Sequence, residues 1–225
     1  MSSSAPSAAN DDNARYRRAL RTAEELFKKA GFRAVTMELV AREADVAKAT
    51  LYSYFKNKDE LYLAVCARMA GILRSAVAAA LAKPDASLDA RLADAVIAKQ
   101  RPIFTLVRGS AHAEELFSHS HSLAGEIFAE LDREMLEMLR TAITDDPGLA
   151  ASAAQIARTL YFASGELARR SATVADMEFE LGGFAGAYLA GVRALARKKR
   201  SISGKSAPGK EATGRAAAVK GSRRR

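Results

Sequence analysis

The sequence has few residues that could cross-link the chain or bind a metal. Among 225 residues there are one cysteine, three histidines and no tryptophan. A single cysteine, Cys66, excludes an internal disulfide framework and any multi-cysteine zinc site. Its neighbours Val65 and Ala67 favour a buried thiol over a reactive one. The hydrophobic content of 49% and charged content of 27% are typical of a soluble globular protein.

Long apolar runs are also missing. No stretch approaches the roughly 18 to 20 uncharged apolar residues of a membrane span. The first residues, MSSSAPSAANDDN, have neither the basic patch nor the apolar run of an export signal. We therefore expect a cytoplasmic protein that does not contact a membrane.

Catalytic motifs are absent as well. There is no Gly-rich phosphate loop, no nucleophile elbow and no helical His-Glu-x-x-His, so we expect neither an enzyme nor a cofactor. His112, His119 and His121, with Glu115, could in principle ligate zinc or nickel. The histidines at 119 and 121 lie among serines in what reads as a loop, without an evident second shell. We expect surface or pocket-edge histidines and no metal site.

Positive charge is abundant, but most of it lies in one segment. Residues 197–225 hold eleven Lys or Arg and one Glu, which gives this segment a net charge of +10. The whole chain has a net charge of +9, so the rest of the chain is close to neutral. Residues 14–60 carry +4 and residues 61–196 carry −3. The basic tail could be a nonspecific DNA anchor, a membrane-surface patch or a solubilising end. The change of sign between the first sixty residues and the middle of the chain is the more informative feature.

Apolar residues recur at spacings of three and four almost throughout, and no alternating β-branched runs occur. The sequence predicts an all-α fold of about nine helices. The first helix stops at Gly31, the second starts at Thr36, the third runs from about Val46 to Phe55, and Asn57 with Glu60 caps a fourth that ends before Pro84. Further helical stretches are expected at 86–101, 103–112, 122–144, 148–170 and 174–197, the fourth of these beginning at Asp146-Pro147. Residues 1–13 and 198–225 are expected to be disordered.

Two short helices joined by a tight turn are the minimum needed to place one helix in the DNA major groove. On a helical wheel Ala47, Leu51 and Phe55 fall on the inner side of the third helix. The outer side carries a cation, hydroxyls and a small residue, and nothing acidic. The N-termini of the second and fourth helices offer unpaired N–H groups to phosphates. Four residues are expected to position the domain on DNA (Thr36, Tyr52, Tyr54 and Lys58), and three to face the bases (Lys48, Ala49 and Thr50).

The segment LFKKAGFRAVTMELVAREADVAKATLYSYFKNKDELYLAV resembles the DNA-binding domain of the tetracycline-repressor (TetR) family of bacterial regulators. The shared features are Leu26-Phe27, Ala30-Gly31-Phe32, Thr36, Val40-Ala41, Ala44, Val46, Thr50-Leu51-Tyr52, Tyr54-Phe55, Lys58 and Leu61. The resemblance covers about a fifth of the chain. It implies a homodimer, a larger C-terminal domain that binds a small inducer, and repression that the inducer releases.

Two positions depart from the family pattern. Asp45 occupies the turn position often held by glycine, where a left-handed backbone is needed. Ala47 replaces a capping serine, which removes about 1 kcal/mol of cap energy, and Asp45 could cap in its place. Both departures concern the start of the third helix and not the residues expected to face DNA.

The rest of the chain is expected to bind a ligand and a second copy of itself. Four glycines interrupt the apolar stripe of the last helix and require close helix approach as compensation. The resemblance implies that the last two helices form a four-helix bundle across the dimer. The dimer candidates are Leu181, Phe184, Tyr188 and Val192. The candidates for an apolar pocket, equally readable as ordinary core, are Phe104, Leu106, His112, Phe117, Phe128, Met135, Tyr161 and Phe162.

The sequence thus predicts a DNA-binding domain at 14–60, a regulatory and dimerisation domain at 61–197, and two flanking tails. The expected function is a cytoplasmic repressor, nucleoid-associated on DNA, which a small hydrophobic or aromatic inducer releases from a roughly palindromic operator. The alternative is a helical carrier or enzyme that has kept the DNA-binding head as packing.

Overall fold

A computed structural model describes residues 8–205, together with their side chains except at 8–10, 114, 117, 118, 120, 121 and 199–205. Within these residues the fold is all-α, as predicted, with nine α-helices and one short 3₁₀ turn at Ala150–Ser152. The helices are α1 (Ala8–Ala34), α2 (Met37–Glu43), α3 (Lys48–Tyr54), α4 (Lys58–Leu81), α5 (Leu88–Gly109), α6 (Ala113–Leu123), α7 (Gly125–Thr144), α8 (Ala153–Arg170) and α9 (Val174–Lys205).

Three of the predicted helix boundaries in the head are confirmed by local geometry: the break at Gly31, the start at Thr36 and the start at Asn57. Gly31 breaks α1 with a φ of 78°. The Thr36 hydroxyl accepts the Leu39 N–H at 3.2 Å at the start of α2. Asn57 Oδ1 accepts the Glu60 N–H at 2.8 Å, and Glu60 accepts the Lys56 N–H at 2.8 Å in return. These reciprocal bonds satisfy donors that a helix start otherwise leaves free.

Two apolar clusters form the core. The head cluster joins α1, α2, α3 and the first half of α4, and includes Phe27, Val40, Leu51 and Phe55. The body cluster joins the second half of α4 with α5, α7, α8 and α9. Because α4 contributes residues to both clusters, the head and the body share one continuous helix rather than a linker. Cys66 lies buried on α4, as its apolar neighbours predict.

α4 is also the one helix within residues 8–205 that is long and apolar enough to cross a membrane by length and composition. Its apolar residues pack in the protein instead. Leu61 and Val65 belong to the head cluster, and Leu73 and Val77 to the body cluster. α4 is therefore a core helix that connects the two halves of the fold.

Both ends of the helical region extend further than predicted. α1 begins at Ala8, where disorder was expected to residue 13, and α9 continues to Lys205, where disorder was expected from 198. Pairs one turn apart extend α1: Arg17 donates to Asn13 at 2.9 Å, and Arg15 faces Asp11 at 3.5 Å. The remaining parts of the expected tails, 1–7 and 206–225, lie outside the described residues.

Three predictions in the body are wrong. The helix break near Pro102 does not occur: α5 continues through the proline and packs against α4 and α9. The histidine segment forms helix α6 rather than a loop. Asp146 caps a turn by accepting the Gly148 N–H at 2.7 Å, and α8 starts only at Ala153.

Candidate nucleic-acid interface and ligand cavity

The turn between α2 and α3 contains a residue in the left-handed conformation, and an arginine from α1 stabilises it. Asp45 has a φ of 50°, the left-handed conformation that the sequence predicts at this position. Arg18 donates to the carbonyl oxygens of Ala44 at 2.6 Å and Asp45 at 2.5 Å. Asp45 does not cap α3: the cap residue is Ala47, without a side-chain cap bond. The start of α3 is thus fixed from outside the motif, by Arg18.

α3 buries one face and exposes the other. Leu51 and Phe55 are buried against the head core, as predicted, whereas Ala47 is exposed at the cap. Lys48, Ala49 and Tyr52 point to solvent and Thr50 is half-buried. We call the surface formed by residues 48, 49, 52 and 53 the outer face of α3. It is exposed and uncharged except at Lys48.

An acidic residue from α2 lies beside this outer face. The Glu38 carboxylate is 2.6 Å from the Lys48 ammonium. This contact lowers the pKa of Glu38 and raises the pKa of Lys48. From the sequence we expected no acidic residue on this face, but that expectation took only the residues of α3 into account. In the folded head, the Lys48 ammonium is therefore paired with a carboxylate from the neighbouring helix.

Two of the predicted phosphate contacts also have intramolecular roles. The Tyr54 hydroxyl donates to the Asp12 carboxylate, which raises the pKa of Tyr54, and its ring meets Tyr16 edge to face. The Lys58 ammonium donates to the Phe32 carbonyl at 3.0 Å and lies 4.3 Å from the centre of the Phe32 ring. Tyr54 thus connects α3 to the start of α1, and Lys58 connects α4 to the end of α1.

Sequence reasoning missed three residues at this surface. Glu38 lies on α2 and Arg18 on α1, so neither appears on the helical wheel of the third helix. Lys56 lies between α3 and α4 with 85% of its side chain exposed, and its closest carboxylate oxygen, on Glu60, is 3.9 Å away. A basic residue between the third and fourth helices was a signal for Lys56, whereas the partners of Glu38 and Arg18 depend on the tertiary fold.

A cavity of about 390 Å³ lies where the head meets the body. It is enclosed by α1, α4, α5, α6 and α7, and its lining is mostly apolar. Its volume falls within the range of small-molecule sites. The lining residues include Phe27, Tyr62, Val65, Met69, Leu73, Pro102, Ile103, Leu106, Leu116, Phe128 and Leu131.

The cavity corrects most of the sequence-based pocket list. Leu106 and Phe128 line it. Phe104, Met135 and Tyr161 are buried in the body core outside the lining, because helical periodicity cannot separate core from cavity. His112 lies at the contact of α6 with α1, Phe162 is 54% exposed on α8, and the Phe117 side chain lies outside the described part.

Four polar residues border the cavity. Glu24 and Lys28 of α1 form an ion pair at 2.6 Å. Lys99 of α5 and Asp132 of α7 lie on the lining as well. The Tyr161 hydroxyl donates to Asp132, and the Lys99 ammonium lies 3.5 Å from the centre of the Tyr161 ring. Burial lowers the pKa of Lys99 to about 8, although the Asp132 charge opposes this shift.

α6 connects this cavity to the head. Leu116 lines the cavity, and its carbonyl accepts the Tyr62 hydroxyl at 2.9 Å. Glu115 accepts the Arg33 N–H at 3.0 Å, directly after the break at Gly31. His119 stacks on Phe32 with ring centres 3.7 Å apart. A shift of α6 would therefore act on the end of α1, immediately before α2. We call this set of contacts the α6 joint.

The apolar stripe of α9 does not face outward as a whole. Leu181 is fully buried in the core of its own chain, and Phe184, Tyr188 and Val192 are half-buried against that core. The exposed face carries Phe179, 84% exposed, with Gly183, Gly186 and Ala190 at spacings of four, three and four. A Cβ at Gly183 or Gly186 would meet no described atom within 4 Å. Intramolecular packing therefore does not compensate these glycines.

Among the described residues, no group of three His, Cys, Asp or Glu side chains is arranged to hold a metal. His112 faces Glu115 at 3.7 Å and His119 stacks on Phe32, while the His121 side chain lies outside the described part.

The fold and the head define an all-helical protein with an N-terminal helix-turn-helix and a ligand-sized cavity beneath it. Residues 19–65 match the sequence model of the bacterial regulatory proteins of the tetR family. The match covers about a fifth of the chain, and it makes the head similar to the corresponding segment of these regulators. The model describes a family of regulators and not of enzymes.

The sequence similarity is confined to the head. A Bacillus subtilis relative described as an uncharacterized HTH-type transcriptional regulator, YhgD, is 49% identical over 43 residues. That match covers 19% of this chain and 22% of the relative, so the chain matches only about a fifth of the relative's length.

Solved structures extend the similarity to the whole fold. A TetR-like transcriptional regulator from a Rhodococcus species has a TM-score of 0.57 at 23% identity, covering 79% of this chain and 96% of that chain. The regulator FadR from Bacillus subtilis, solved in complex with stearoyl-CoA, has a TM-score of 0.54 at 19% identity, covering 76% and 97%. At these identities the likeness concerns the fold alone.

Proposed function

We propose that the chain is a homodimeric repressor that binds a roughly palindromic operator through the outer face of α3 and leaves it when a small molecule fills the cavity. The observation that carries this proposal is the exposed outer face of α3, which has one charged residue, Lys48, and is followed along the chain by Lys56 and Lys58. A neutral recognition surface flanked by cations suits direct base contact with phosphate contacts on either side. Such a regulator acts on the chromosome, and we place it in the bacterial cytoplasm.

The proposed roles divide the head residues into two groups. Lys48, Ala49 and Thr50 would meet base edges, because they form the first turn of α3. Thr36, Tyr52, Tyr54 and Lys58 would position the head on phosphates. Lys58 uses two of its three N–H donors on the carbonyls of Phe32 and Arg33, which leaves one for a phosphate oxygen.

Selection from a random pool of duplex DNA tests this function without knowledge of the operator. The enriched sequences are expected to be roughly palindromic, with half-site centres about one helical turn apart. Failure to enrich any sequence, or enrichment of sites without twofold symmetry, would contradict the proposal.

Variants of the head test the assignment of residues. Tyr52→Ala or Lys58→Ala is expected to weaken binding to all sequences by about tenfold, and Lys58→Ala, which removes a charge, is also expected to flatten the salt dependence. Lys48→Ala is expected to change the enriched sequence. Arg140→Ala is the control, because Arg140 is exposed on α7 and pairs only with Glu137 of its own helix. Unchanged binding in all three head variants would refute the assignment.

Dimerisation is proposed through the outward faces of α8 and α9. Phe162 and Phe179 are large apolar side chains left exposed on these helices, and the open glycines of α9 allow a second helix to approach closely. This moves the proposed interface away from Leu181 and onto the face that carries Phe179. Two copies joined there form a four-helix bundle of the kind the family resemblance implies.

The ligand response is proposed to pass through the α6 joint. Leu116 lies on the cavity wall, while Glu115 and His119 of the same helix hold the end of α1. A ligand that binds better to one position of α6 would shift the head toward that position. FadR, of similar fold, was solved with stearoyl-CoA, a ligand that contains a long acyl chain.

A further inference from the structure

The cavity contains one cation that has no anionic partner. Two lysines line it, Lys28 and Lys99. The Lys28 ammonium is held by Glu24 at 2.6 Å and Glu25 at 3.4 Å. The Lys99 ammonium instead faces the π surface of Tyr161, and no described oxygen bonds to it or pairs with it within 4 Å. Among the described residues, no oxygen accepts a hydrogen bond from any of the three N–H donors of Lys99.

The nearby acid does not remove this surplus of donors. Asp132 acts on Lys99 through its charge, but it makes no ion-pair contact with it and already accepts the Tyr161 hydroxyl. This end of the cavity therefore offers three ammonium donors beside a carboxylate that already accepts one hydrogen bond. A buried charge is costly unless it is paired, so a complementary ligand supplies an anionic oxygen here.

The remainder of the wall requires an apolar partner. Phe27, Val65, Met69, Leu73, Ile103 and Leu106 line the space beyond Lys99. A small, fully polar anion would leave this apolar surface uncovered. An apolar molecule with one charged end group satisfies both the wall and the ammonium.

We propose that the cavity binds an apolar monocarboxylate, with the carboxylate on Lys99 and the apolar body between α1, α4 and α5. This inference names the class of ligand that would act in the proposed ligand response. Only the regulatory role of the ligand rests on that proposed function. Binding itself requires neither DNA nor dimerisation.

Calorimetric titration of the purified full chain at pH 7 tests this ligand class with three probes of equal chain length. Decanoate is expected to bind at least about tenfold more tightly than decanol or decylamine. Lys99→Met is expected to abolish that preference and to change decanol binding by less than about threefold. Lys83→Met is the control, since Lys83 is exposed and paired with Asp94.

The pH dependence provides an independent readout. The titratable groups around Lys99 are Asp132 of α7 and Tyr161 of α8, and Glu24, Lys28 and Cys66 also border the cavity. Since only protonated Lys99 attracts a carboxylate, decanoate affinity is expected to fall about tenfold between pH 7 and pH 9 in the wild type, and not in Lys99→Met.

Three results would overturn the inference: equal binding of decanol or decylamine, an intact decanoate preference in Lys99→Met, or no binding of any probe. Because the titration contains no DNA, a failed DNA selection would leave its result unaffected.

Discussion

At the scale of single residues, the pairing of Lys48 with Glu38 controls the charge presented to DNA. Glu38 neutralises Lys48, the one charged residue of the outer face, and adds a carboxylate that phosphates repel. Both side chains are exposed, so the contact is easily exchanged for another partner.

Removing this carboxylate is expected to strengthen DNA binding. Glu38→Gln should tighten binding to random duplex DNA about three- to tenfold at 50 mM salt and steepen the salt dependence, because Lys48 becomes free for a phosphate. Fluorescence anisotropy measures both effects. Glu43→Gln, which removes an exposed carboxylate paired with Arg42, serves as the control. Weaker binding of Glu38→Gln would show that the pair positions Lys48 instead.

Lys99 is expected to destabilise the ligand-free protein at neutral pH. The pKa of Lys99 is about 8 in the folded chain against 10.5 for an ordinary lysine. The unfolded chain therefore binds this proton more tightly, and the resulting cost is fully present below pH 8 and disappears as the pH rises toward 10.5. Lys99→Met should raise the free energy of unfolding at pH 7 by about 1 to 3 kcal/mol.

Denaturant unfolding of both proteins from pH 7 to pH 10 checks this prediction. The stability difference between Lys99→Met and the wild type should shrink as the pH rises. Because both proteins contain the other titrating groups, the contributions of those groups cancel in the difference. A difference that stays constant with pH would mean that only packing changed.

At the scale of helices, the α6 joint depends on Gly31. Its positive φ costs a side-chain-bearing residue about 1 to 2 kcal/mol. A Cβ at this position would also overlap the Glu115 carboxylate. Two separate penalties therefore act on any substitution of Gly31.

A double-mutant cycle separates these penalties. Gly31→Ala should lower the free energy of unfolding by about 2 to 4 kcal/mol. Adding Glu115→Ala should remove the part of this loss that comes from the overlap, but not the part that comes from the backbone conformation. Thermal and denaturant unfolding of the two single variants and the double variant measure the coupling. Purely additive effects would mean that Glu115 does not pack on Gly31 in solution.

Helices whose ends are set by local residues could be predicted from the sequence, whereas helices stabilised by contacts with other helices could not. The head was predicted closely because its caps, Thr36 and Asn57, and its break, Gly31, are local signals. α6 was not, because its Ser- and His-rich sequence has a weak apolar pattern and the helix is held by α1 and α4. The continuation of α5 through Pro102 has the same kind of cause, since packing outweighed a local helix breaker.

The same distinction applies to the sites. The outer face of α3 follows from one helical wheel, so Lys48, Ala49 and Tyr52 could be identified as exposed. The cavity could not be located, because its wall combines five helices and its aromatic candidates share the periodicity of the core. Lys99 carried no sequence signal at all, since an isolated lysine on an amphipathic helix is ordinarily exposed.

At the scale of the whole molecule, the exposed faces of α8 and α9 should hold two copies together. Phe179→Asp is expected to convert the dimer to a monomer at micromolar concentration, because it places a charge on the apolar interface. Light scattering after size-exclusion chromatography measures the mass, and binding to a selected palindromic site should weaken by at least about tenfold. Ile72→Asp, an exposed apolar residue on α4, is the control. A dimeric Phe179→Asp protein would exclude this face.

The contact between Glu38 and Lys48 also affects how such a dimer finds its site. A chromosome offers a vast excess of unrelated sequence, and a strongly cationic reading head would spend most of its time held there. While Lys48 is paired with Glu38, the head carries less free positive charge, so we expect encounters with unrelated sequence to be shorter. The same exposed pair exchanges readily, so we expect it to leave Lys48 available at the specific site.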